Sequence, residues 1–328
     1  MVYWITGSPF PDNLISNMSN RRDFIKQTVV VAGGLFTSSP ILQEFDDVLP
    51  QEKLTILHTN DVHSRIDPFP MDGGRNQGLG GIAARSALIR EIRQQEAQVL
   101  LFDAGDIFQG TPYFNFFKGE PEIRGMTAMG YDGGTMGNHD FDAGLENFAT
   151  QWQHASFPLI ICNYDFSSTP VENRYKPYTI IHKGKLKIGI TGVGIELKGL
   201  VPDQLAGNTR YLNPIEHANE QAFHLKQRKH CDMVICLSHL GYKYADNKVS
   251  DEVLAKESDN IDLIIGGHTH TFLDSPVAIK NKNGNDVIVN QVGWGGILLG
   301  RLDFNFYKGK RKNLIDYKSI IIQKKTSE

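Results

Sequence analysis

The sequence predicts an α/β fold in which two sheets pack together with helices on the outside. Two observations carry that expectation. Short apolar runs of strand type alternate with segments of helical period along most of the chain, which favours parallel units with helices packed outside. The last two strand-type runs, Leu298–Tyr307 and Leu314–Ile322, are joined by the turn-like KGKRKN with no helix between them, which adds an antiparallel portion.

In chain order, strands are expected at Leu54–His58, Val99–Asp103, Pro158–Asn163, Leu186–Val193, Met233–Ser238, Asp262–Ile265 and Asp286–Gln291, each a compact apolar run. Helical period fits Gly80–Glu96, where Ile82, Leu88 and Ile92 mark the apolar face of a segment otherwise rich in Arg, Glu and Gln. Further helices are expected at Glu122–Met129, opening near Pro121, at Leu145–Trp152, at Pro214–Lys229, which starts on its proline, and at Asp246–Ser258. No internal repeat or long linker divides these elements, so residues 51–328 read as one large domain.

Composition narrows the function classes. The chain has 328 residues, and its 34 Lys and Arg nearly balance 37 Asp and Glu, for a net charge of −3. That balance supplies no general attraction to a nucleic-acid polymer or an anionic membrane. Three cysteines, Cys162, Cys231 and Cys236, sit in or beside apolar runs and read as small buried hydrophobes rather than a disulfide framework. Gly at 32 and His at 11 point to loops that need open backbone, and to metal.

Residues 1–50 are set apart from the fold. SNRRDFIKQ at 19–27 is followed by the modestly apolar TVVVAGGLF, the layout of a secretory signal. S-x-R-R-x-F-I-K resembles a twin-arginine export signal, in which Arg21 and Arg22 are the address read by the receptor, so the protein is expected to be exported to the periplasm or beyond. No Cys follows the apolar stretch, so neither a lipid anchor nor any other stable membrane anchor is expected. Met18 would place the arginines near the start, with residues 1–17 an upstream extension and the mature start between Ser38 and Lys53.

Polar residues collect at the ends of the expected strands. LTILH runs into Thr59-Asn60-Asp61-Val62-His63, and VLLFDAGD ends at Asp106. Gly137-Asn138-His139-Asp140-Phe141-Asp142 follows a turn-like stretch, MVICLS ends at His239, and DLII ends in Gly266-Gly267-His268-Thr269-His270. On an extended segment side chains two apart face the same way, so Asp61 and His63 would converge on one point. Asp-x-His and Gly-Asn-His-Asp alone are turn-like, while Gly-Gly-His-Thr-His is stronger, since two imidazoles rarely sit at a buried strand exit without a partner; five strings in this order deliver carboxylates, an amide and imidazoles to one edge, where α/β folds build their sites.

This set, LHTNDVH, GDIFQGTP, GNHDFD, SHLG and GGHTHT with the later QVGWGGILLGRLDF, resembles the binuclear metallophosphoesterase (calcineurin-like) superfamily, and within it the catalytic domain of the 5′-nucleotidase and UDP-sugar hydrolase family. The resemblance runs from residue 53 to about 306. It implies a four-layered α/β/β/α sandwich of two mixed sheets flanked by helices, with two metals at the sheet edge. Carried over residue by residue, one metal takes Asp61, His63 and His270, the other takes Asn138, His239 and His268, and Asp106 bridges them. His139 is then the catalytic residue beside the metals, with Asp142 rather than Asp140 orienting its ring.

The ligand types suit two divalent transition-metal ions, Mn, Zn, Fe or Co, better than Ca, and the lack of thiolates argues against a structural zinc site. Two metals about 3.5–4 Å apart can hold a nucleophile and a phosphoryl oxygen for in-line displacement, and a metal-bound water with its pKa lowered to about 7 supplies hydroxide at neutral pH. The implied substrate is a small phosphoester of nucleotide type. The remaining histidines, His58, His154, His182, His217, His224 and His230, read as packing or surface residues; Phe108, Gln109, Tyr113 and Phe114 either line the mouth or pack.

Full-length 5′-nucleotidases of this family carry a second domain that stacks the base and grips the phosphate, and the sequence ends soon after the catalytic part. Either simpler phosphoesters are hydrolysed or a separate protein supplies a domain of that kind. Two other readings compete: a thiosulfohydrolase of sulfur oxidation, disfavoured by the short chain, and a metal-binding scaffold without turnover, disfavoured by the intact His139 and Asp142.

Overall fold

The alternation of side chains along each strand sorts the interior into layers. In a computed structural model that describes residues 49–323, apart from 247 and 311, strand β1 (Glu52–Thr59) sends Leu54 and Ile56 to one apolar cluster and Leu57 to another. The other strands are β2 (Val99–Asp103), β3 (Gly133–Gly134), β4 (Leu159–Ile160), β5 (Tyr164–Asp165), β6 (Tyr175–Lys176), β7 (Tyr178–Lys183), β8 (Leu186–Gly194) and β9 (Arg210–Tyr211). They continue with β10 (Met233–His239), β11 (Leu263–Gly266), β12 (Val277–Lys280), β13 (Asp286–Asn290), β14 (Leu298–Phe306) and β15 (Lys312–Ile321). The α-helices are α1 (Ile82–Gln95), α2 (Pro112–Phe117), α3 (Glu120–Met129), α4 (Gly144–Gln151), α5 (Asp203–Ala206), α6 (Pro214–Phe223) and α7 (Asp251–Glu257).

A seven-stranded sheet runs β15-β14-β1-β2-β3-β4-β6 and a six-stranded sheet runs β12-β13-β11-β10-β8-β7. Both are mixed. The centre of the first, β1-β2-β3-β4-β6, is parallel, and β14 and β15 add to it as the antiparallel pair expected from the sequence. The centre of the second, β8-β10-β11-β13, is parallel with an antiparallel strand on each side.

Three apolar clusters follow from this arrangement. Leu54, Ile56, Leu100 and Phe102 of the first sheet meet Ile188, Ile190, Ile235 and Leu237 of the second in the core between the sheets. Leu57 and Leu101, on the opposite face, join Ile89 and Ile92 of α1 with Ile123 and Met126 of α3. Val234 and Cys236 join Ala218 and Ala222 of α6 and Leu254 of α7. Helices therefore cover the outer face of each sheet. Each fully buried Leu or Ile contributes roughly 1.5–3 kcal/mol, which makes the sheet-to-sheet core a rigid base for the loops at the strand ends.

Differences from the sequence reading have physical causes. Pro158–Asn163 is a strand only at Leu159–Ile160, because the chain there crosses between sheets: the Ile161 N–H donates to Lys176 and the Cys162 N–H to Gly192. The helix expected from Asp246 begins at Asp251, where the Ser250 hydroxyl caps the Val253 N–H. The helix from Pro214 stays α-helical only to Phe223 and continues as a π-turn over His224–Arg228. On α1 the buried face holds Arg85, Ile89 and Ile92, with Ile82 and Leu88 only partly covered. The three cysteines are buried, as expected of small hydrophobes. The twin-arginine-type segment lies outside the described residues; among those described, no helix is long and apolar enough to cross a membrane.

Candidate metal centre at the strand ends

The parallel strands of both sheets deliver their carboxyl ends to one place. Asp61 and His63 follow β1, Asp106 follows β2, Asn138 and His139 follow β3, His239 ends β10, and His268 and His270 follow β11. The sequence reading treats these segments as extended, and they are not. Asp61, His63, Ser64, Asp106, His268 and His270 have φ of 49°, 48°, 52°, 56°, 76° and 52°, in the left-handed region that residues with a Cβ avoid. Asp61 and His63 still converge, but His268 and His270 part company and join different groups. Each such residue costs on the order of 1–3 kcal/mol, a strain that persists because the surrounding hydrogen bonds dictate it.

Asp61, His63 and His270 bring their ligand atoms within 4.8 Å of one another, as do Asp106, His239 and His268. Asn138 Oδ1 lies 2.8 Å from His268 Nδ1, which adds an amide oxygen to the second group. Asp106 Oδ2 stands between the two, 3.1 Å from His239 Nε2 and 3.9 Å from His63 Nε2. The structure therefore brings Asp61, His63, His270, Asp106, Asn138, His239 and His268 together in one spot.

The ring orientations fit a cation. His63 Nδ1 faces the Phe108 carbonyl at 3.1 Å and His239 Nδ1 faces that of Ala104 at 2.7 Å. Donation of Nδ1–H to those carbonyls leaves Nε2 with a lone pair turned into the centre. His239 Nε2 is fully buried against the Asp106 carboxylate, and His63 and His270 face each other Nε2 to Nε2 at 2.9 Å, a pair that must share a proton or a cation. A divalent ion in each group would give these nitrogens a partner.

Charge in the centre is correspondingly tense. Burial opposes a charge on His239, yet Asp106 pushes its pKa up to about 10. Burial likewise opposes charge on Asp106, but His239, then His63 and His139, hold it well below the usual carboxylate range. Burial lowers His63, and burial with the neighbouring His239 lowers His268 to about 4, so both favour the neutral, ligating form. His139 is raised, first by its contact with Asp142, whose Oδ2 is 3.0 Å from His139 Nδ1.

Asp140 instead has a task the sequence reading missed. It is 1% exposed, and its Oδ1 accepts from the Ile107 and Phe108 N–H groups while Oδ2 accepts from those of Asp106 and Gly137. One carboxylate thus ties the loop after β2 to the loop after β3. Gly137 sits where a Cβ would lie 2.2 Å from Asp106 Oδ1, so only glycine lets the two loops close. Asn60 was also missed: its Nδ2 donates to Asp61 Oδ2 at 2.7 Å while its Oδ1 accepts from the Val292 N–H. Buried Asn and Asp flanking a ligand were the available sign.

A cleft of about 320 Å³ opens over the centre, walled by His63, Arg65, Gln109, His139, His270 and Trp294. Of the four mouth candidates, Gln109 lines it; Phe108 and Phe114 pack in the core, and the Tyr113 hydroxyl donates to Asp67. His58 is fully buried against Asn290, as a packing residue should be.

A family profile described as calcineurin-like phosphoesterase matches residues 54–272. The chain belongs to that family. Calcineurin-like phosphoesterases use divalent metals, and this one brings two candidate metal positions to its strand ends. It is 34% identical over 276 residues to the snake venom 5′-nucleotidase of Gloydius brevicauda, covering 77% of this chain and 45% of that protein. It is 32% identical over 298 residues to the 5′-nucleotidase of Vibrio cholerae, covering 83% and 52%. The solved structure of a 5′-nucleotidase precursor from Thermus thermophilus superimposes with a TM-score of 0.75 at 28% identity, covering 83% of this chain and 55% of that one. This calcineurin-like phosphoesterase chain thus spans about half the length of the relatives it matches.

Proposed function

We propose that the protein is a metal-dependent phosphoesterase acting on small nucleotide-type phosphoesters. The single observation that carries this reading is the pair of ligand groups sharing Asp106, with the His139–Asp142 pair beside them in an open cleft. Asp61, His63 and His270 would hold one ion; Asn138, His239 and His268 would hold the other; Asp106 would touch both. When bound, such a pair of ions supplies electrophilic activation of the phosphoryl group and of the attacking water.

The protein's own groups do the rest. Asn60 and the His268 N–H, 3.0 Å from both Asp61 oxygens, fix that carboxylate before substrate arrives. Asp142 on Nδ1 of His139 favours the imidazolium and leaves Nε2–H for the cleft, where it can protonate the departing oxygen. In hydrolysis the bond from phosphorus to that oxygen breaks, water provides the new P–O bond, and His139 supplies the proton.

Export belongs to the same proposal and is supported by the Arg21-Arg22 pattern ahead of a short apolar run. The test is a screen of the Mn²⁺- or Co²⁺-loaded protein against AMP, UDP-glucose, 2′,3′-cyclic nucleotides and a chromogenic phosphodiester. Metal-dependent release from at least one is expected; none, with two metals bound, would sink the reading.

A further inference from the structure

Arg65 stands on the wall of the cleft and has no role in the chemistry above. Its guanidinium carbon lies 3.9 Å from the centroid of the Phe69 ring, so one face of the group is covered. Its Nε is buried without a hydrogen-bond partner. Asp67 is the carboxylate whose charge acts on it, but that side chain accepts the Tyr113 hydroxyl instead of pairing with the guanidinium. Arg65 lines the cleft together with His63, His139 and His270. A planar guanidinium stacked by its face keeps its edge N–H groups for in-plane pairing with an oxyanion.

A run of ring contacts sets where that edge lies. Trp294 stacks on His270 at 5.8 Å between centroids, Phe69 meets Trp294 edge-on at 5.5 Å, and Arg65 lies on Phe69. Three successive ring contacts thus separate the cation from the His270 imidazole. The scissile phosphoryl group already has the imidazoles and His139 around it, so a cation on the rim suits a second anionic group on the same substrate.

We propose that Arg65 is a specificity-determining residue that pairs with this second anionic group, so that nucleoside diphosphates are preferred to monophosphates. The inference rests on the phosphoesterase reading above. The terminal phosphoryl group sits at the ligand groups and the inner phosphate at Arg65. Hydrolysis breaks the terminal P–O bond, water supplies the new one, and the monophosphate leaves with the proton from His139.

The test compares kcat/KM for ADP, AMP and p-nitrophenyl phosphate in the Mn²⁺-loaded full chain, as wild type, Arg65→Met and Arg65→Lys. Met keeps an apolar stem over Phe69; Lys restores the charge without the fork. Wild type should favour ADP over AMP by at least ~10-fold, the size of one modest charge-assisted contact. Arg65→Met should lower kcat/KM for ADP at least ~10-fold more than for p-nitrophenyl phosphate, chiefly through KM, and Arg65→Lys should recover part of the loss. Equal effects on all three substrates, or no effect on any, would overturn the assignment of Arg65 while leaving the phosphoesterase reading intact. A wild-type protein that hydrolyses none of these three would overturn the assignment of Arg65, and one that, with two metals bound, also releases nothing from the phosphoesters screened above would overturn both.

Discussion

Replacing Asp140 by Asn tests whether one buried carboxylate organises the centre. The two side chains have nearly the same shape, but Asn offers one acceptor oxygen where Asp offers two. In the native protein each carboxylate oxygen accepts from two backbone N–H groups, those of Ile107 and Phe108 on one side and of Asp106 and Gly137 on the other. Whichever way the amide turns, its NH₂ faces two N–H donors that have lost their acceptor. Hydrogen bonds to a charged group are worth roughly 1.5–3 kcal/mol each, so two losses amount to about 3–6 kcal/mol. Removing a buried charge beside Asp106 offsets part of that, which places the expected cost near the lower end, about 3 kcal/mol. The loss is large against a typical domain stability of roughly 5–15 kcal/mol.

The assay is equilibrium urea unfolding of the metal-free protein, since bound metal would add its own stabilisation. Burial and the neighbouring Asp106 raise the Asp140 carboxyl to about 7, so the buffer is set on the alkaline side of that value, where the group is ionised. Asp142→Asn is the control: that side chain is 30% exposed and contacts His139, so its replacement should cost less than about 1 kcal/mol. A loss below about 1 kcal/mol in Asp140→Asn, with an unchanged urea slope, would refute the claim that this carboxylate holds the two loops.

His139→Ala should leave metal content, read by elemental analysis, unchanged and lower turnover at least ~100-fold, the scale of general acid help; loss of a metal would make His139 a ligand instead. Burial pushes His58 down to about 3, and a Cβ on Gly300 would lie 2.1 Å from its ring, so the fold accepts only the neutral imidazole. The unfolded chain takes up the proton near pH 6.5, so this contribution is complete above that pH and falls by about 1.4 kcal/mol per unit as pH drops from there towards 3. Between pH 6 and pH 5, urea unfolding should show wild type losing about 1 kcal/mol more than His58→Gln, whereas equal losses would contradict the assignment. Arg21→Lys with Arg22→Lys should keep the protein in the cytoplasm on cell fractionation, and undiminished export would remove the twin-arginine reading.

The parts of the fold read from sequence are those where local pattern and tertiary role agree. Val99–Asp103 has the bounds expected, because a wholly buried parallel strand shows as an unbroken apolar run. Tyr178–Lys183 and Val277–Lys280 escaped notice because they flank the six-stranded sheet, where half-exposed residues blur the pattern. Arg85 on the buried face of α1 could not be foreseen from helical period, which places charge outward. The ligands were legible because they combine residue types that rarely crowd together at strand exits. Their left-handed backbone was not, since Asp61, His63 and Asp106 are not residues that announce a positive φ. Asp140 was passed over because a carboxylate that serves backbone N–H groups looks, in sequence, like any polar turn residue.

The most direct test of the central claim is anomalous diffraction from crystals of the Mn²⁺-loaded protein. Two peaks are expected, one among Asp61, His63 and His270 and one among Asn138, His239 and His268, with Asp106 between them and His139 bonded to neither. A single peak, or a peak ligated by His139, would contradict the account.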